Sequence, residues 1–277
     1  MERLFRKNLV KKFVNGIFFR GYCLCDYIIC KSIFCIIRAN AKKRFEKLKF
    51  LKNSYMDKRI FIIGTGPSLQ VDDVKKLKNE YTMGLNSFVT GIKEFGYEPS
   101  FYGFTDVEVV NDIWTKEVMA LSKSIVFMPT RRWYNPKVKK ALLDKQNVVE
   151  YPMIEGHQWM NFAKKVPKDF SKDASREVYF GYTCAYAMLQ LAVYMGFKEI
   201  YLLGMDCNYP ANVQCFGEVR DQDKIKAGSN AGQYFMIAWE EAKKYCDANG
   251  IKIYNATRGG KLEVFPRVNF DEITSNK

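Results

Sequence analysis

Arg59-Ile-Phe-Ile-Ile-Gly64-Thr65-Gly66-Pro67-Ser68-Leu69, continuing through Val71-Asp-Asp-Val-Lys-Lys-Leu77, is the stretch whose reading decides the fold. A short apolar run of strand type leads into a tight Gly-x-Gly turn, and a Ser/Asp cluster able to cap a helix follows. This is the opening βα unit of a nucleotide-binding α/β domain. The two glycines let the backbone turn sharply and approach a ligand, while the new helix points its free N–H groups at the same spot. Leu69 stands at the third glycine position of the dinucleotide fingerprint, and the Gly-Lys-Ser/Thr ending of a P-loop is absent. The motif therefore reads as a phosphoryl or nucleotide cradle, or else as a structural turn, and it is silent on the reaction.

Outward from this unit, strand-like runs alternate with helix-like ones. Strands are expected near 59–63, 81–85, 101–105, 124–128, 147–151, 199–205 and 252–256. Helices are expected near 72–79, 88–95, 107–121, 136–145, 182–195 and 231–249. That rhythm predicts an α/β fold with a mostly parallel sheet covered on both faces, in which ligands sit at the carboxyl ends of the strands. Polar residues end nearly every strand: Gly64 to Ser68, then Asn86, then Thr105-Asp106, then Asp206 with Asn208-Tyr209, then Asn255 and Thr257 leading to Arg258 and Lys261. Each alone reads as a cap or turn residue; together they mark one edge as the site. Thr183 is placed to cap the weakly charged helix that starts at Cys184, giving a second anion-attracting N-terminus. The long, glycine-containing segment 207–233 suits a lid. His157 is the only histidine, hence a candidate general base by elimination, against the plain alternative of a loop histidine.

The 277 residues carry a net charge of +14, unevenly spread. Residues 1–57 hold fourteen Lys/Arg against four acids. This arm is expected to be helical and separate from the domain at 58–277. Its apolar run, residues 13–37, is broken by Arg20, Asp26 and Lys31, each costing about 2.5–3.5 kcal/mol at a bilayer centre. An interfacial helix on an anionic membrane surface fits the pattern; a hairpin packed on the body or on a second subunit, as in a homo-oligomer, is the alternative. No nucleic-acid partner is expected. Eight cysteines match no CxxC pair, so no metal site is expected; the absence of a cleavable signal and the free thiols suggest a cytoplasmic protein, peripheral at the inner face of the plasma membrane.

Four blocks carry a resemblance: Phe61 to Leu69, Gly84-Leu85-Asn86, Met195 to Asp206, and Tyr254 to Pro266. Together they resemble the MptE-like proteins, a family named for an archaeal 6-hydroxymethylpterin diphosphokinase and common in bacterial surface-polysaccharide loci. The resemblance spans roughly residues 58–270. The first three blocks are also similar to bacterial sialyltransferases that use a CMP-linked sugar on a Rossmann-like domain. That likeness implies a Rossmann-like fold with Gly64, Gly66, Pro67, Ser68, Asn86 and Thr183 at the nucleotide. This chain departs from those enzymes in having no His in Ser229 to Tyr234, only Tyr209 as a phosphate tyrosine, and Thr65 where Asn is common. The resemblance implies a transferase moving a sugar from a nucleotide donor, CMP among the options, to a glycan or lipid-linked acceptor. Arg258 and Lys261 would then lie near phosphate or an acidic sugar, with Asp206 or Asp106 as base or ribose anchor. The family name implies instead a Mg²⁺/ATP-dependent diphosphokinase, with Asp106 and Asp206 at the metal; no other cofactor is implied. A nucleotide-binding scaffold without enzymatic activity is the third reading.

Overall fold

The structure, a computed structural model, describes residues 44–105, 114–130, 135–154, 169–208 and 231–275, with side chains from 235 onward in the last stretch. In chain order its elements are α1 (Glu46–Phe50), β1 (Arg59–Ile63), α2 (Val71–Lys76), β2 (Tyr81–Leu85), a 3-10 turn (Asn86–Gly91), α3 (Ile92–Phe95), β3 (Phe101–Gly103) and α4 (Thr115–Ala120). Then come β4 (Ile125–Pro129), α5 (Pro136–Leu143), β5 (Val148–Tyr151), β6 (Met153–Ile154), β7 (Val178–Tyr179) and α6 (Cys184–Tyr194). The last are β8 (Glu199–Leu203), α7 (Ala231–Ala248), β9 (Lys252–Asn255) and α8 (Phe270–Ser275).

Seven strands form one sheet in the order β5-β4-β3-β2-β1-β8-β9, and every neighbouring pair is parallel. This is a Rossmann-like α/β fold. The chain steps outward from β1 to β5, then returns to lay β8 on the other side of β1. That reversal makes the carboxyl ends of β1 and β8 the topological switch point, where such sheets bind ligands. Alternation along β1 explains the two-sided burial: Ile60 and Ile62 pack with α1, α6 and α7, while Phe61 and Ile63 pack toward α2 and α8. All seven expected strands are present, with ends shifted by one or two residues; α8 and the short parallel pair β6–β7 were not anticipated.

Helix α6 fixes the polarity of the covered face. Apolar nearly all round and almost wholly buried, it lies between the sheet and α7. At its start, Cys184 Sγ sits 3.5 Å from the Gly103 carbonyl at the carboxyl end of β3. At its end, the Tyr194 and Met195 carbonyls accept from the Asn53 and Tyr55 amides, ahead of β1. The helix thus runs antiparallel to the strands and brings its N-terminus to the carboxyl edge. Gly103 permits the close approach, since a Cβ there would meet Met188 Sδ at 1.9 Å.

Residues 44–57, grouped by composition with the arm, pack on the body. Phe45 and Leu48 are buried in the core, and Arg44 grips Glu150 of β5 through two 2.6 Å contacts. Tyr55 stacks on Phe197 with ring centroids 5.1 Å apart. Residues 1–43, with the expected membrane helix, lie outside the described residues. Among the described residues no helix is long and apolar enough to cross a membrane.

The turn into β4 depends on one carboxylate. Glu98 accepts from the amides of Ser122, Lys123 and Ser124 at 3.0, 2.8 and 3.1 Å. Burial pushes its carboxyl up, but the three amides outweigh that and hold it below the usual range. A depressed folded pKa gives stability that is present above the unfolded value, about 4.3, and lost as pH falls through the folded one. Glu98→Gln is therefore expected to cost about 1–2 kcal/mol at neutral pH. The gap to wild type should close on acidification below about pH 4 in urea titrations; a gap independent of pH would refute the capping role.

Candidate active site

The Gly-x-Gly turn leaves β1 while still hydrogen-bonded to the strand beside it. Gly64 N–H donates to the Leu203 carbonyl at 2.8 Å, and Gly66 N–H to the Gly204 carbonyl at 2.9 Å. Past β8 the backbone takes left-handed conformations at Gly204 and Cys207, which turn Asp206 back toward the β1 loop. There Asp206 Oδ2 accepts from Ser68 Oγ at 2.7 Å and, more weakly, from Ser68 N–H at 3.4 Å. The contact requires glycine at 66: a Cβ would lie 1.9 Å from Asp206 Oδ2 and 2.6 Å from the Gly204 carbonyl. Gly66 thus serves packing between two loops, whatever it also offers a ligand.

The same aspartate ties down a third loop. Its carbonyl accepts from Lys261 N–H at 2.7 Å, and a Cβ at Gly260, whose φ is +74°, would sit 2.6 Å from that carbonyl. Asn255 and Thr257 act beneath this loop as buried struts. Asn255 donates to the Leu262 carbonyl at 2.7 Å and accepts from Thr257 N–H at 3.0 Å, while Thr257 Oγ1 accepts from Met205 N–H at 3.0 Å. Arg258 is engaged by two carboxylates. Its guanidinium meets Asp73 of α2 at 2.6 and 2.9 Å and Asp271 of α8 at 2.9 Å, and those hydrogen bonds, Asp73 first, raise its pKa further.

On the other flank, Asn86 ends β2 with a left-handed φ of 44°, its carbonyl accepting from Tyr102 OH at 2.6 Å. Thr183 caps α6, accepting from Ala185 N–H at 3.4 Å after left-handed residues at Gly181 and Tyr182. Thr65 and Ser68 are half-buried and Pro67 is exposed on the loop crest; Asn208 is half-buried beyond Cys207. Burial pushes the Cys207 thiol up to about 11, so it stays protonated near neutrality. Asp106, His157 and Tyr209 lie outside the described residues. Among the described residues no group of three His, Cys, Asp or Glu side chains is placed to hold a metal ion.

The structure therefore brings Gly64 to Ser68, Asp206 and the 258–261 loop together at the switch point, with Asn86 and the start of α6 on the same sheet edge. Residues not anticipated are Asp73, Asp271 and Tyr102. The only signal for Asp73 was its place in the first turn of α2, where an acid reads equally well as a solvent-facing dipole partner.

The family model of the 6-hydroxymethylpterin diphosphokinase MptE-like proteins matches residues 35–212, which include the β1 loop, the α6 cap and Asp206. The chain belongs to the MptE-like family. No curated protein matches this MptE-like chain. Among solved structures, a MAf glycosyltransferase from Magnetospirillum magneticum AMB-1 shares the fold at a TM-score of 0.50 and 15% identity. The match covers 79% of this chain but 34% of that one, so the MptE-like chain corresponds to about a third of the larger protein.

Proposed function

We propose that this MptE-like protein is a glycosyltransferase of surface-glycan assembly that takes a sugar from a nucleotide donor to a glycan or lipid-linked acceptor at the cytoplasmic face of the membrane. The observation that carries the reading is the Gly66–Ser68–Asp206 interlock, which fixes a lysine-free glycine turn at the switch point of a parallel sheet. A turn held this way presents backbone and the Ser68 end of the loop to a phosphate ester without a P-loop's lysine. The α6 N-terminus on the same edge favours the negative charge that grows on the departing nucleotide. In the transfer the sugar carbon–oxygen bond to phosphate breaks, a bond to the acceptor oxygen forms, and the acceptor proton passes to a base. Asp206 serves here as the anchor of the loop, and the base falls to Asp106 or His157. The fold shared with a MAf glycosyltransferase supports this reading.

The family description favours one other reading, a Mg²⁺/ATP-dependent diphosphokinase. It needs carboxylates beside the phosphates, a role for Asp106 and for Asp206, whose Oδ2 already accepts from Ser68. Thermal shift against CMP, CDP, UDP, GDP and ATP, each with and without Mg²⁺, separates the two. The transferase reading expects a metal-independent rise of about 5–10 °C with a pyrimidine nucleotide at saturation. Stabilisation by ATP only with Mg²⁺ would favour the kinase, and no shift with any nucleotide would sink both.

A further inference from the structure

The amino edge of the sheet, opposite the candidate site, carries two adjoining clefts that share Lys198. One, of about 390 Å³, lies at the first residues of β1, β8 and β9 and includes Lys58 and Lys252. The other, of about 310 Å³, includes Lys52, Lys172 and Met56. Two carboxylates, Asp57 and Glu199, face these five ammonium groups, and Arg59 is already paired with Glu80. None of the five has a carboxylate within ion-pair distance among the described residues. Among the described residues the two most exposed large apolar side chains are Phe50 at 77%, which ends α1 two residues before Lys52, and Met56 at 53%, which lines the second cleft. Ser54 Oγ donates to the Phe50 carbonyl at 2.8 Å and closes the turn that follows α1. The sequence leading into this face, residues 1–43, adds ten Lys/Arg against two acids.

We infer that this edge of the folded body is itself a docking face for an anionic lipid bilayer, with Phe50 and Met56 entering the headgroup layer and the lysines meeting lipid phosphates. Exposed aromatic and thioether side chains set among unpaired lysines are complementary to such an interface, where apolar and cationic groups are accommodated together. Strands of five residues put the carboxyl edge about 17 Å farther from the bilayer. On the donor-site reading, which the docking face does not itself require, the acceptor hydroxyl would then be on the distal part of a lipid-linked glycan.

The test is sedimentation of the full-length protein with vesicles of phosphatidylcholine alone or mixed with phosphatidylglycerol. Lys58→Gln/Lys198→Gln/Lys252→Gln should lower partition onto the anionic vesicles on the order of 100-fold. The same charge change on α5, Lys137→Gln/Lys139→Gln/Lys140→Gln, should leave it at the wild-type level. Phe50→Ser/Met56→Ser should lower partition by about tenfold through lost apolar burial. Unchanged partition in the first triple and the apolar double, or equal loss in both triples, overturns the face. So does equal binding to pure phosphatidylcholine, or a concentration-dependent dimer that only the amino-edge triple dissolves, since a second copy would then cover it. Melting temperatures of all variants verify folding, and the nucleotide shifts, read on the same samples, test the donor site separately.

Discussion

Gly66→Ala is expected to abolish nucleotide-induced stabilisation and to destabilise the protein by about 3 kcal/mol. The cause is steric and local. The new methyl would fall on Asp206 Oδ2 and on the Gly204 carbonyl, and the second of these is backbone that already accepts from Gly66 N–H. To relieve the overlap Asp206 must leave Ser68, and the β1 loop must lift from the end of β8. Both movements break the interlock on which the proposed donor site rests. Gly96 is the control. It has open space around it and a left-handed φ of 78°, so Gly96→Ala should cost about 1 kcal/mol of conformational strain and leave nucleotide binding intact. Urea unfolding and thermal shift on the two variants read both quantities. If Gly66→Ala binds nucleotide as wild type does, the loop is not the donor anchor.

The framework was legible because parallel strands buried on both faces read as plain apolar runs, and the residues that end them are polar or glycine. Ile60 to Ile63 and Ile200 to Leu203 show this best. The place of the Gly-x-Gly turn followed from the same logic. What the sequence hid was which polar residues serve the protein and which remain for a ligand. Asp206 was legible as a polar residue at the carboxyl edge, but its bond to Ser68 crosses 138 residues and no spacing rule reaches it. Arg258 was legible in the same way, and its partner Asp73 lies 185 residues away. The start of the body was obscured by composition. Residues 44–57 carry four Lys/Arg against two acids and continue the basic run of the arm, yet Phe45, Leu48 and Tyr55 pack among core residues.

The other large effect expected is from Arg258→Met. The Asp73 side chain is 3% exposed and takes the Nε–Nη2 edge of the guanidinium, while Asp271 shares Nη2. Removing the arginine strands a buried carboxylate, which in a fully buried pair costs about 3–5 kcal/mol. Two features moderate that figure: the Arg258 side chain is 32% exposed, and Lys76 remains 3.9 Å from Asp73. A loss of about 2–3 kcal/mol is expected. Lysine is no substitute, since one ammonium cannot reproduce the two-pronged contact, and Arg258→Lys should recover less than half of the loss. The decisive comparison is the double variant Arg258→Met/Asp73→Asn. If the arginine is there to neutralise Asp73, removing both charges should restore at least about 1.5 kcal/mol relative to the sum of the single effects. Additive losses would mean the pair is incidental. The same variants separate this account from the phosphate contact that the resemblance suggested. An ion-pair strut changes unfolding in urea while the nucleotide shift persists at low temperature. A phosphate ligand would weaken nucleotide binding and leave the unfolding midpoint in place.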